Sequence, residues 1–167
     1  MQVAIFDAVV RTPLRMLHNL DAILGKAEAA IAEGRLAEPD VLHARLAADM
    51  FDFTRQVQLT TDFAKSPPAR LAGVEVPKFP DEETTLAQLR SRIGKVAQFV
   101  GGFQASQFEG AAQRRVVIPL RDRTLDMVGS EYLFDFAIPN FYFHYTTAYG
   151  LLRHLGLAIG KRDFVGG

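Results

Sequence analysis

The chain has 167 residues, 49% of them apolar and 23% charged, with 19 basic and 19 acidic residues that cancel. That length fits one domain with a sizeable core over residues 1–167, and the neutral balance gives no reason to expect nucleic acid or an anionic membrane surface as a partner. Cysteine is absent, which excludes disulfides, thiolate metal sites and a cysteine nucleophile; a metal would have to be held by His, Asp, Glu, Asn or Gln, donors suited to zinc, nickel, manganese or iron.

The N-terminus, Met1-Gln-Val-Ala-Ile-Phe-Asp7, lacks the basic and long apolar regions of a signal peptide. No window of about 18 apolar residues suggests a membrane span. A cytoplasmic location is the expectation. Residues 4–33 read as a first helix, with Ile5, Val9, Leu17, Leu20 and Leu24 at helical spacing and a kink or early break at Pro13. A second helix is predicted from about 39 to 65, ending before Pro67-Pro68, with a stripe of Leu42, Leu46, Met50, Phe53, Val57 and Leu59. Asp49 and Gln56 border that stripe seven residues apart, and Arg45 stands one turn before Asp49, where an i, i+4 ion pair would form.

A proline-punctuated loop precedes Asp81-Glu-Glu-Thr84, whose acids suit the positive end of a third helix carrying Leu86, Leu89, Ile93, Val96 and Val100 up to Gly101-Gly102. Residues 114–120 and 123–128 then change to a strand period, with a turn at Arg121-Asp122. Ser130 is placed to cap a fourth helix running to about Gly156, bent at Pro139 with the carbonyl near Asp135 set free, and a basic tail follows. The sum is an all-α, up-and-down four-helix bundle with a small β-hairpin before the last helix. Sites in such bundles form from side chains that project inward from facing helices.

The fourth helix concentrates the chemistry. Asn140, His144 and Thr147 sit at i, i+4, i+7 and share one face within an apolar run. Burying an amide and an imidazole there is costly unless both are hydrogen-bonded or bound. His144 therefore reads either as a core imidazole bonded to Asn140, Asp49 or a backbone carbonyl, or as a metal-binding or catalytic group. An Asp orienting an imidazole is the usual support of a general base. His18, His43 and His154 read as structural or surface residues. The aromatic run Phe141, Tyr142, Phe143, Tyr145 and Tyr149 reads as core or dimer surface, with a pocket wall as the other reading. No nucleophile elbow or glycine-rich phosphate loop is present.

Four stretches carry a family resemblance: Leu20-Asp-Ala-Ile-Leu-Gly-Lys-Ala27, Arg45-Leu-Ala-Ala-Asp-Met-Phe51, Asp62-Phe-Ala-Lys65, and Pro139-Asn-Phe-Tyr-Phe-His144 together with Gly160-Lys-Arg-Asp-Phe164. On these the chain resembles an uncharacterised bacterial DUF family within the DinB/YfiT-like superfamily. That resemblance implies a bundle whose second helix supplies one histidine and whose last helix supplies two, in an H-x-x-x-H pattern, to a divalent metal. Matching the ending Leu151-Leu-Arg-His-Leu-Gly156 puts His144 at the second histidine of the pair and Asn140 at the first, with the helix-two ligand near Asp49. The metal set it implies is thus His144, Asn140 and Asp49, for zinc or nickel acting on a small molecule by metal-dependent hydrolysis or thiol transfer. The alternative is a non-catalytic homodimeric bundle in which the ancestral site has become a structural hydrogen-bond cluster.

Overall fold

The computed structural model describes residues 5–120 and 122–167. Ala4, where the first helix is expected to begin, and Arg121 of the expected turn lie outside the described residues.

Four long helices form the bundle: Thr12–Ala32 (α1), Phe53–Ala72 (α3), Leu86–Gly101 (α4) and Ile138–His154 (α6). Shorter pieces are Glu38–Leu42 (α2), Gly129–Glu131 (α5) and Lys161–Val165 (α7). Helix α3 packs on α6 and α4, and α1 packs on α4 and α7. α1 buries Met16, Leu17, Leu20, Ile23, Leu24 and Ala27, the stripe its periodicity calls for. Gly34, at φ 72°, closes it in a left-handed cap, with Arg35 N–H donating to the Ala30 carbonyl and Gly34 N–H to Ile31. The five stripe residues expected for the third helix are all buried in α4.

Two prolines produce the same irregularity. Pro13 and Pro139 each stand in the first turn of a long helix, and each is preceded by a π-helical turn, Asp7–Arg11 and Tyr132–Ala137. A proline donates no N–H to the carbonyl four residues back. The residue before each one reaches a carbonyl five residues back instead: Thr12 N–H to Asp7 and Ile138 N–H to Leu133. The expected break at Pro13 and bend at Pro139 are therefore π-turns within continuous helical stretches.

Other expectations are corrected. The predicted helix 39–65 is two helices, because Asp52 caps a new start: its carboxylate accepts from Arg55 N–H at 3.0 Å. Between them, residues 43–52 form a loop held by Arg45, which donates to the Met50 carbonyl and pairs with Asp52, not with Asp49. Pro67 and Pro68 do not end α3, which runs on to Ala72 with both prolines buried, so tertiary packing outweighs the lost backbone bonds. The acids at Asp81–Glu83 precede α4 without opening it; Thr85 is the cap, accepting from Gln88 N–H at 3.2 Å. Ser130 lies inside α5 rather than capping it.

The hairpin pairs Arg115–Pro119 (β1) with Thr124–Val128 (β2), antiparallel, Arg115 opposite Val128. Val116 and Ile118 turn into the core. At Gly129 the chain leaves the hairpin so close to α3 and the 3-10 turn Ala111–Gln113 that a Cβ would lie 1.9 Å from the Ala111 carbonyl oxygen, which only glycine allows. The basic tail folds back as α7: Lys26 pairs with Asp163 at 2.5 Å, and the Phe164 carbonyl accepts from Asn19 and the Tyr145 hydroxyl. Among the described residues no helix is long and apolar enough to cross a membrane.

Candidate functional site

The interface of α3 with α6 places the predicted seam. His144 is buried, with 8% exposure, and faces Gln56 of α3, its Nδ1 standing 2.8 Å from Gln56 Oε1. Gln56 donates through Nε2 to the Phe51 carbonyl at 3.2 Å, which orients the amide with its oxygen toward the ring. Nδ1–H of His144 is then the donor, and Nε2 carries the lone pair. The imidazole stacks on Phe63, with centroids 5.7 Å apart, and Phe143 meets it edge-on. Burial, then the positive charge of Arg55, holds its pKa below the usual histidine value, so the neutral ring is the favoured form.

The other predicted site residues are engaged elsewhere. Asn140 donates its amide to the Phe136 carbonyl at 2.7 Å, within the turn that Pro139 disrupts. Thr147 donates to the Phe143 carbonyl of its own helix at 2.7 Å. Asp49 lies in the 43–52 loop, exposed, and is not brought to His144. The helical spacing that put Asp49 on the seam fails because no helix runs through it. Gln56, seven residues on, takes the facing position. His18, His43 and His154 are exposed. Phe141 and Tyr145 join the core, while Phe143 faces outward.

This donor set does not fit a three-ligand divalent centre. One imidazole is present, the remaining candidates are a single asparagine amide oxygen and an aspartate in the exposed 43–52 loop, and no second histidine or carboxylate joins them among the described residues. Among the described residues no group of three or more His, Asp or Glu side chains is placed to hold a metal ion.

A second polar centre, between α3 and α4, was not anticipated. Arg92 is 2% exposed and every nitrogen of its guanidinium has a partner: Nε donates to Thr61 at 2.7 Å, Nη1 to the Pro80 carbonyl at 2.9 Å and Glu83 at 3.2 Å, and Nη2 to Asp62 at 3.0 Å, with Asp81 ion-paired to Nη2 at 2.9 Å. Lys65, also buried, pairs with Asp62, Arg55 pairs with Asp81, and Gln58 donates to Glu83 at 2.8 Å. The cluster ties the 80–83 segment to the bundle and surrounds the buried Arg92 guanidinium with protein partners. The signal in the sequence was Arg92 itself, three residues after Leu89 and four before Val96 on the apolar face.

An open cleft of about 280 Å³ lies where the two π-turns approach each other. The first turn and the start of α1 contribute Asp7, Ala8 and Thr12; α3 contributes Phe63 and Pro67. The second π-turn supplies Leu133, Phe134 and Ala137, and α6 adds Phe141 and Tyr142. Phe63 is shared, since it lines the cleft and stacks on His144. The walls are apolar apart from Asp7 and two hydroxyls, the usual composition of a preformed small-molecule site.

Residues 5–165 match the domain of unknown function DUF1993, and the chain belongs to that family. It is similar to the crystal structure of a DinB family member protein from Shewanella denitrificans: 43% identity, 98% of this chain and 92% of that one covered, TM-score 0.91. The DinB-like bundle implied by the sequence resemblance is thus the fold. No curated protein matches the chain.

Proposed function

We propose that this member of the DUF1993 family is a small-molecule-binding bundle, and that the Gln56–His144 pair, with Asn140 bonded within its own helix, is a structural hydrogen-bond arrangement where the resemblance places a metal. Metal-dependent hydrolysis and thiol transfer are set aside because one imidazole stands at the seam and Asp49 lies in the exposed 43–52 loop, so no set of three His, Asp or Glu donors is gathered there among the described residues. The observation that carries the binding role is the cleft between the π-turns, a preformed apolar concavity at the end of the α3–α6 interface away from the His144–Gln56 bond.

Amide NMR titrations test both halves. A neutral aromatic fragment such as toluene is expected to shift the amides of Ala8, Ala137 and Phe141, while zinc or nickel leaves those of Asn140 and His144 unmoved. Saturable metal shifts at Asn140 and His144 would overturn the structural-cluster reading, and silence toward the fragment would overturn the binding role.

A further inference from the structure

The cleft between the π-turns does not end at its own rim. Ala8, Leu133 and Phe134 of its wall also line a second, larger concavity of about 640 Å³. That space opens between the first helical stretch and the two 3-10 turns, Ala105–Phe108 and Ala111–Gln113, with Ile5, Phe6, Phe108 and Ala112 among its walls. Phe6 and Phe108 pack against each other there, ring centroids 5.8 Å apart. Leu133, 1% exposed, is a buried wall common to both spaces. Ala8 adds only a methyl group to the boundary, and Phe134 a ring that is 56% exposed.

Shape and charge narrow the ligand. A cavity of about 150 Å³ holds a benzene ring, so a compact ring would occupy the 280 Å³ cleft and leave the second concavity unfilled. An unbranched aliphatic chain can lie in both, and every methylene it buries adds to the apolar area removed from water. The charged groups of the lining are carboxylates, Asp7 in the cleft and Glu109 in the larger concavity, and no Lys, Arg or His lines either space among the described residues. Asp7 is paired with Arg11 at 2.9 Å, which leaves Glu109 as the net charge of the lining. An anionic head would meet that carboxylate without a counter-charge on the walls. Gln113 and Ser130, in the same concavity, offer an amide and a hydroxyl to an uncharged head.

We propose that the two concavities form one groove for an unbranched aliphatic chain with an uncharged polar head, the tail in the cleft beside Phe63 and Phe141 and the head toward Gln113 and Ser130. The assignment rests on the small-molecule reading above and adds the class of ligand. Amide NMR titrations with 1-hexanol, 1-decanol and decanoate, each kept below its aggregation limit, test it. 1-Hexanol is expected to shift Ala137 and Phe141 in the cleft. 1-Decanol should shift those amides together with Ala105 and Gln113, on one isotherm with one molecule per chain. It should bind at least about tenfold tighter than 1-hexanol, since each buried methylene is worth roughly fourfold in affinity. Decanoate should bind more weakly than 1-decanol. Ala112→Phe fills the larger concavity alone, so it should remove most of the 1-decanol gain and leave 1-hexanol unchanged. Ala105→Phe, at an exposed position of the same concavity, is the deciding variant if Ala112→Phe melts early by circular dichroism. Separate isotherms for the two sets of amides, equal affinities for the two alcohols, or a 1-decanol gain that survives the folded variant overturns the single groove, while 1-hexanol binding sustains the small-molecule role. Decanoate binding as tightly as 1-decanol overturns the uncharged head. No shift with any of the three overturns the groove outright, and toluene, read at the same Ala137 and Phe141 amides, tells whether the small-molecule role falls with it.

Discussion

The polar groups buried along α3 and the cleft farther along the same helix have opposite chemistry. Around Gln56, His144 and Arg92, the amide, the protonated ring nitrogen and every guanidinium nitrogen have partners at 2.7–3.2 Å. Between the π-turns the walls are apolar and the space is open, and the one carboxylate, Asp7, is partly exposed and paired with Arg11. A bundle tolerates buried polarity when it closes on itself, because the cost of desolvation is then met by hydrogen bonds within the protein. A site for something else is better sought where the accounting is left open. Histidine alone is a poor guide to it here.

The sharpest way to break that contrast is to open the closed side. Replacing Arg92 by Leu removes one cation from between Asp62, Asp81 and Glu83, leaving their carboxylates and the Pro80 carbonyl without it. Losing one member of a buried ion cluster typically costs about 3–5 kcal/mol, and urea denaturation should show a loss of that order. A loss well under about 1 kcal/mol, the worth of a surface pair, would mean the network contributes little and the 80–83 segment is held by other contacts.

The Gln56–His144 pair should give a smaller and more diagnostic effect. His144→Leu strands Gln56 Oε1 in a buried position, at a cost of about 1–3 kcal/mol. Gln56→Leu strands Nδ1–H in the same way. The double replacement removes donor and acceptor together and should be close to neutral, so the two changes couple strongly in a double-mutant cycle. Additive losses would contradict a self-contained cluster. They would point instead to a separate task for His144.

Sequence periodicity located α1, α4, α6 and the hairpin because their apolar residues repeat at the spacing that packing demands, and His144 and Asn140 were placed correctly on α6. The second helix was misread for a definable reason. Leu46 and Met50 extend the stripe of Leu42, and nothing in that spacing reveals that Asp52 and Arg45 fold the segment into a loop. Asp49 was nominated on a helix face that does not exist. Pro67-Pro68 misled in the opposite sense, since their local cost is visible in sequence and the burial that offsets it is not. The cleft is harder still: Pro13 and Pro139 announce irregular helix, but they stand at opposite ends of the sequence, and only the assembled bundle brings their π-turns together.

The smallest expected effect concerns pH, and its sign follows from the closed environment of His144. Its pKa is depressed in the folded protein, by burial first and by Arg55 second, below the value near 6.5 that it recovers on unfolding. Below about 6.5 the unfolded chain therefore binds a proton that the folded chain refuses, and stability falls as the pH drops from there toward the folded value, levelling once both forms are protonated. Above that window the contribution is complete and flat. Exposed histidines and the carboxylates titrate on the same curve, so the measurement is the difference between wild type and the Gln56→Leu/His144→Leu double variant across pH 5–8. The wild type should lose stability relative to the variant on the acid side. A difference that is flat, or of opposite slope, would mean that His144 accepts a proton in place, as a ring open to solvent or to a carboxylate would, and the contrast between the sealed cluster and the open cleft would fail at its central residue.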